Sequence, residues 1–196
     1  MKMQNSKKLN GKDLINVGIF SAIYFVIVMG IAMLGYIPIM MPLLCVFAPI
    51  LCGIPFMLFL TKVKKFGMIL IMSIIMGIMM MLTGMSWYAL AVGVFSGLAA
   101  ELIYRSGKYA SAGKAVLTHG VFVIWMWANY LPLFFNPDGY FSTRQSFGQD
   151  YIDSLTSLMP GWMCPVLLIA CVACGLIGGL LGKSLLKKHF IKAGVV

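Results

Sequence analysis

Residues 67–104 read GMILIMSIIMGIMMMLTGMSWYALAVGVFSGLAAELIY, a run in which Glu101 is the one acidic or basic side chain. A helix needs about 20 apolar residues to cross the hydrocarbon core of a bilayer, so this run is about twice too long for a single span and must turn once. Gly84 and Ser86 are the breakers inside it, and the paired aromatics Trp87-Tyr88 suit the membrane interface. The run therefore divides into spans at about 67–85 and 87–104. Working outward gives four more apolar blocks, at about 14–35, 42–60, 115–135 and 161–182, with a long outer loop at 136–160. The expected architecture is an all-α integral membrane protein, with six transmembrane helices in a compact bundle and residues 1–196 forming a single membrane domain.

Composition leads to the same class. Of the 196 residues 61% are hydrophobic and 10% charged, with a mean hydropathy of +0.97. A water-soluble domain has too few polar residues here to cover its surface, and a disordered chain needs low hydrophobicity. Lys2, Lys7, Lys8 and Lys12 precede the first block, which is too long for a signal-peptide core and lacks a cleavage site, so it reads as a first span. The five cysteines fall mostly inside apolar runs and form no disulfide framework.

The net charge of +10 is explained by topology. The N-terminal tail, the connection carrying Lys62, Lys64 and Lys65, the connection carrying Arg105, Lys108 and Lys114, and the tail carrying Lys183, Lys187, Lys188 and Lys192 alternate along the chain. Together they hold every Lys and Arg except Arg144. The positive-inside rule then puts both termini in the cytoplasm and 136–160 outside. Contact with anionic membrane lipids accounts for the basic excess without nucleic acid.

No catalytic constellation is evident, and no metal or cofactor is expected. There is no HExxH, Glu101 is the only glutamate, and Ser96 lacks the GxSxG context of a nucleophile. There is no P-loop, so the chain itself does not hydrolyse ATP. Glu101 and His119 lie at similar depth, and a Glu101–His119 contact or a Glu101–Arg105 pair is expected to staple neighbouring helices. An intramembrane enzyme using His119 and Glu101, or a purely structural membrane subunit, are the alternative readings.

The outer side carries the better candidate. The fifth block ends in Trp125, Trp127, Asn129 and Tyr130, and 136–160 holds Tyr140, Arg144 and three aspartates. Aromatic walls, a few polar groups and a covering loop suit a small-molecule pocket; an interface belt beside a solvated loop is the competing reading. The candidate substrate-binding residues are Trp87, Trp125, Asn129, Tyr130, Tyr140 and Arg144. An anionic ligand would pair with Arg144, while the loop aspartates compete for it. Asn129→Ala is expected to weaken binding with little change in unliganded stability. Small residues recur at four-residue spacing in the first, fourth and sixth blocks. Those of the later two suit internal packing; Gly18 and Ala22 of the first are candidates for a partner surface.

Several segments carry a family resemblance. They are Lys12-Asp13-Leu14-Ile15, the stretch from Pro42 to Pro55 with Lys62, Lys64, Lys65 and Gly67, the run AELIYRSGKY at 100–109, and the C-terminal GGLLGK (178–183) and KKHFIKAG (187–194). With them the chain resembles the MptD (Trep_Strep) family of S components of energy-coupling factor (ECF) transporters. The resemblance implies a six-helix protein of the bacterial cytoplasmic membrane that captures a small-molecule micronutrient from outside. It implies no enzymatic activity of its own, and partners consisting of a membrane-embedded T component and two cytoplasmic ATPases. Docking in such proteins is associated with an AxxxA-like motif on the first helix, here the GxxxA of Gly18 to Ala22.

The orientation is testable by impermeant thiol labelling from outside in a cysteine-free background. A cysteine placed at Gln145 should be labelled and one at Lys64 should not; the reverse pattern contradicts the topology.

Overall fold

The computed structural model describes residues 8–187 and Ile191. The terminal residues Lys2, Lys7, Lys188, His189 and Lys192 lie outside the described residues. Ten α-helices follow in order: α1 Gly11–Ala32, α2 Met40–Leu60, α3 Met68–Leu82, α4 Tyr88–Ser106, α5 Ala112–Phe122, α6 Ile124–Ala128, α7 Leu131–Phe135, α8 Pro137–Ser142, α9 Gln149–Leu158 and α10 Met163–Leu185. Single 3₁₀ turns extend α1 and separate α8 from α9. There is no strand among the described residues.

Among the described residues, four segments are long and apolar enough to cross a membrane: Gly11–Tyr36, Met40–Leu60, Tyr88–Ser106 and Met163–Leu185. Met68–Leu82 and Ala112–Ala128 are apolar but shorter. The rods close a ring, each touching the next in the order α1, α3, α4, α5, α10, α2 and back to α1. The faces turned away from the ring are apolar as well: Val26, Phe95, Ile169 and Leu180 are all exposed. That is the inversion expected of a protein whose solvent is lipid.

Helix contacts in lipid depend on close approach, because apolar burial gives no net drive. The broadest contact is α2 with α10. There Gly53 and Gly178 meet backbone to backbone, and a Cβ built at Gly182 would lie 2.7 Å from the Gly53 carbonyl oxygen. Between α5 and α10, a Cβ at Gly179 would sit 3.2 Å from Val116 Cα. The α3–α4 contact adds a hydrogen bond from Ser73 Oγ to the Gly93 carbonyl at 2.7 Å. On α3 the buried residues Met68, Met72, Met76 and Met80 recur every fourth position, so the methionine-rich run is a helix face turned into the core.

Glu101 does something the sequence reading did not anticipate. It is fully buried, and its Oε2 accepts from Ile69 N at 2.8 Å and Leu70 N at 3.3 Å. Those are two of the free amides in the first turn of α3. The residue before α3, Gly67, sits at φ 102° and has no side chain to cap with. A carboxylate at a helix N-terminus accepts orphan N–H groups and favours the positive end of the helix dipole. Tyr109 completes the arrangement, donating to Glu101 Oε1 at 3.3 Å. Its backbone and that of Lys108 turn through the left-handed region (φ 56° and 52°), a conformation that costs about 1–2 kcal/mol per residue.

The expected Glu101–His119 and Glu101–Arg105 contacts are therefore corrected. His119 Nδ1 donates to the Gly175 carbonyl at 2.7 Å, tying α5 to α10. The Arg105 guanidinium lies over the Phe66 ring at 5.3 Å. The amides of α3 outcompete both because they have no other acceptor. At the same end of the molecule, Asn10 and Asp13 form a capping box on α1, and Asp13 is bridged to Lys65 at 2.7 Å.

Glu101→Ala should lower unfolding stability in detergent by about 2–3 kcal/mol, since it leaves buried amides without an acceptor. Thermal unfolding checks it; an unchanged midpoint would mean that the cap carries no stability.

Candidate functional site

The end of the ring opposite the Glu101 cap is built from three local irregularities. The first is the turn after α3. Gly84 N donates to the Met81 carbonyl and Met85 N to the Met80 carbonyl, both at 3.0 Å, with Gly84 at φ 86°. This is a Schellman motif, in which a left-handed glycine lets the last carbonyls of a helix be satisfied as the chain reverses. Its usual hydrophobic contact brings Met85 back towards Met80, and both face the interior.

The second is a broken rod. The block expected as one span at 115–135 is instead three helices, α5, α6 and α7. Met126 N bonds to the Val123 carbonyl and Asn129 N to the Met126 carbonyl, so the ladder tightens to three-residue spacing at each break. Pro132 follows in the first turn of α7, where its missing N–H costs nothing. Asn129 Nδ2 folds back onto the carbonyls of Trp125 (3.0 Å) and Met126 (3.2 Å). Carbonyls only accept, so the amide nitrogen faces the backbone and Oδ1 is turned away from it, buried and without a partner.

The third is the segment 136–160, which is folded rather than a plain loop. Asn136 caps α8 through Gly139 N, and α9 buries Leu155 while leaving Asp150 and Asp153 exposed. Phe147 stacks on Tyr36 (5.3 Å between ring centres), and Tyr151 donates to the Gly35 carbonyl at 2.6 Å. The segment is thus fastened to the end of α1. Burial and the neighbouring Tyr140 push the Tyr151 phenol up to about 12, and burial raises that of Tyr140 against the pull of Arg144. Both phenols stay protonated at ordinary pH.

Three hollows meet between these elements, and Met85 lines all of them. An inner one of about 70 Å³ lies among α1, α2, α6 and the turn after α3. A more open one of about 360 Å³ lies between Gly84–Tyr88 and α7–α8. A third of about 240 Å³ runs beneath the docked 136–160 segment against α1 and α2.

Every candidate binding residue borders one of these hollows. Trp125, fully buried with its Nε1 unpartnered, lines the inner one with Tyr130, whose hydroxyl donates to the Met41 carbonyl at 2.9 Å. Asn129 lines both the inner and the open hollow. Trp87 stands at the rim, 59% exposed and stacked on Tyr88. Tyr140 and Arg144 border the open and the third hollow. The anticipated competition for Arg144 is absent: among the described residues no carboxylate lies within ion-pair distance of it. Its Nη1 donates to the Tyr140 carbonyl and Thr143 Oγ1, both at 2.9 Å, and its guanidinium lies 4.0 Å from the Tyr140 ring centre.

Sequence reasoning missed Met85, Cys45, Val28 and Ile31. Gly84 was the available signal for Met85, because a Schellman glycine directs the next residue inward. Nothing in the sequence singles out the α1 and α2 residues. Gly18 and Ala22 lie elsewhere, on the outward face of α1; both are exposed, and nothing lies within 4 Å of a Cβ built at Gly18.

An apolar helical ring with lipid-suited outer faces is the form of a multi-pass integral membrane protein. The matching family model is described as "Hypothetical bacterial integral membrane protein (Trep_Strep)" and spans residues 11–192, so the chain belongs to that family. No curated protein and no solved structure matches the chain.

The Asn129 geometry revises one expectation. Because its amide donates to the Trp125 carbonyl and joins its own backbone N–H on the Met126 carbonyl, Asn129→Ala should cost about 1–2 kcal/mol of unliganded stability. Arg144→Ala, whose bonds to oxygen are local and whose one long-range contact is to a weakly accepting thioether, should cost under about 0.5 kcal/mol. Comparison of the two unfolding midpoints checks the assignment, and the opposite ranking contradicts it.

Proposed function

We propose that the chain is the substrate-binding S component of an ECF transporter, capturing a small-molecule micronutrient at the outer face of the bacterial cytoplasmic membrane. In this reading the ring consists of six spans, with α3 and the α5–α6 rod as the two short ones. Both termini and the connections 61–66 and 105–114 are cytoplasmic, and 136–160 is outside. The charge asymmetry supports the orientation. At about 1.5 Å per residue, the 15 residues of α3 cover about 22 Å. Glu101 and the Gly84 turn supply partners for backbone groups at its two ends, which suits a short span.

The single observation that carries the reading is the outer chamber. A preformed hollow, roofed by a fastened segment, is lined by Asn129 and Trp125, whose Oδ1 and Nε1 are a buried acceptor and a buried donor without a protein partner. Buried polar atoms without partners cost about 1–3 kcal/mol each, a cost that a bound molecule would recover. His119 and Glu101 are separately engaged in helix contacts and border none of the three hollows, which supports a binding role over an enzymatic one.

Capture alone does not move a solute uphill. The chain would hand its substrate inward by docking on a T component coupled to two cytoplasmic ATPases. The exposed α1 face around Gly18 and Ala22 is the proposed contact, where small residues admit close helix approach. Affinity purification from native membranes should recover a membrane partner and ATPases with the wild-type chain; recovery of the chain alone under conditions that preserve membrane complexes counts against the proposal.

Ala22→Trp should abolish uptake in cells while leaving stability and small-molecule binding of the isolated protein within error of wild type. Loss of binding together with uptake would assign this face to the fold instead.

A further inference from the structure

The chemistry of the captured molecule can be read from what the chamber leaves unspent. On Arg144, Nη1 has both hydrogens engaged by the Tyr140 carbonyl and Thr143 Oγ1, and the Tyr140 ring lies against the guanidinium plane. Those contacts fix the plane and leave the Nε–Nη2 edge. The one contact on that edge is a thioether, Met85 Sδ, at 3.3 Å from Nη2. A thioether is a weak acceptor. The side-on edge of a guanidinium is a two-donor fork that matches a carboxylate or phosphate. No acidic side chain among the described residues occupies it.

Asn129 borders the same open hollow, and its Oδ1 is a buried acceptor with no protein donor. Beyond Asn129 and Met85 the inner hollow is lined almost wholly by aliphatic, thioether and indole groups, among them Val28, Ile31, Met80 and Trp125. At about 70 Å³ it exceeds the roughly 10–15 Å³ that a single water needs by the same measure. With such a lining it favours a small apolar group over water. Anion fork, acceptor and apolar recess therefore follow one another from the mouth inward.

Resting on the capture reading above, we propose that the substrate is a small amphipathic organic anion. Its carboxylate or phosphate sits on the Nε–Nη2 edge of Arg144, displacing the thioether. An N–H or O–H of its body donates to Asn129 Oδ1, and its apolar end enters the recess behind Met85. An anionic lipid carries the same head-group chemistry; the structure favours a solute, because the recess is small and the mouth is roofed by the fastened 136–160 segment.

The test uses the full chain in phosphatidylcholine nanodiscs and reads the thermal unfolding midpoint. The probes are two small-molecule fractions of yeast extract, one retained by an anion-exchange resin and one that flows through. The retained fraction should raise the midpoint by about 5 °C or more, the size of shift a well-saturated site gives. The flow-through should not. Methyl esterification of the retained fraction should abolish the shift on the wild-type chain, and Arg144→Gln should abolish it without lowering the unliganded midpoint. Stabilisation by the flow-through, or an undiminished shift with the esterified fraction or with Arg144→Gln, overturns the anion assignment while leaving capture intact. An equal shift from phosphatidylglycerol in the nanodisc, with no fraction added, overturns it in favour of lipid. No shift from either fraction removes the capture reading itself.

Discussion

A backbone amide in an apolar surround has no water to fall back on, and this requirement governs the irregular parts of the protein. Regular helix meets it automatically. Each place where a helix starts, stops or breaks must find an internal partner instead. At the start of α3 the partner is the Glu101 carboxylate. At its end the partners are the amides of Gly84 and Met85. At the break after α6 they are the amide hydrogens of the Asn129 side chain. The three solutions use a charge, a glycine and a side-chain amide.

Only the last two shape the hollows, because of where they lie. The Gly84 turn directs Met85 into the end of the ring opposite Glu101, where it borders all three hollows. The Asn129 back-bonding consumes the nitrogen of the amide and turns the oxygen away from the backbone. The unpaired Asn129 oxygen is thus a by-product of satisfying the backbone at a helix break. Glu101, although it is a buried acid of the sort that attracts a catalytic reading, is spent on the opposite end of α3. The tight glycine-mediated contact of α2 with α10 holds the ring behind the chamber, while the small residues of α1 remain uncovered.

Much of this was legible in the sequence, and the limits have physical causes. The turn at Gly84 could be read because 38 apolar residues exceed one bilayer thickness and a glycine stood near the midpoint. The gathering of Trp125, Asn129, Tyr130, Tyr140 and Arg144 at one end of the ring could be read from the aromatic-rich end of one block and the length of the segment after it. The role of Glu101 could not, because its acceptors' partners are backbone amides 32 positions upstream, which carry no sequence signature. His119 was paired with the wrong group for the same reason: the Gly175 carbonyl that holds it looks like any other carbonyl in the sequence. The breaks in the fifth block were masked by its apolar majority, with Asn129 and Pro132 as marks of interruption near its end. Whether the loop aspartates would neutralise Arg144 depended on the directions of α8 and α9, which composition does not set.

The central claim is that the outer chamber holds one small molecule. Native mass spectrometry of the full chain, purified gently from the cells that make it, tests this most directly. The account predicts a one-to-one adduct of a non-lipid small molecule on the wild-type chain, absent from a variant carrying Trp125→Ala and Arg144→Gln that retains a cooperative unfolding transition. A wild-type spectrum showing only the bare polypeptide and lipid adducts, or an adduct that survives both substitutions, would contradict it.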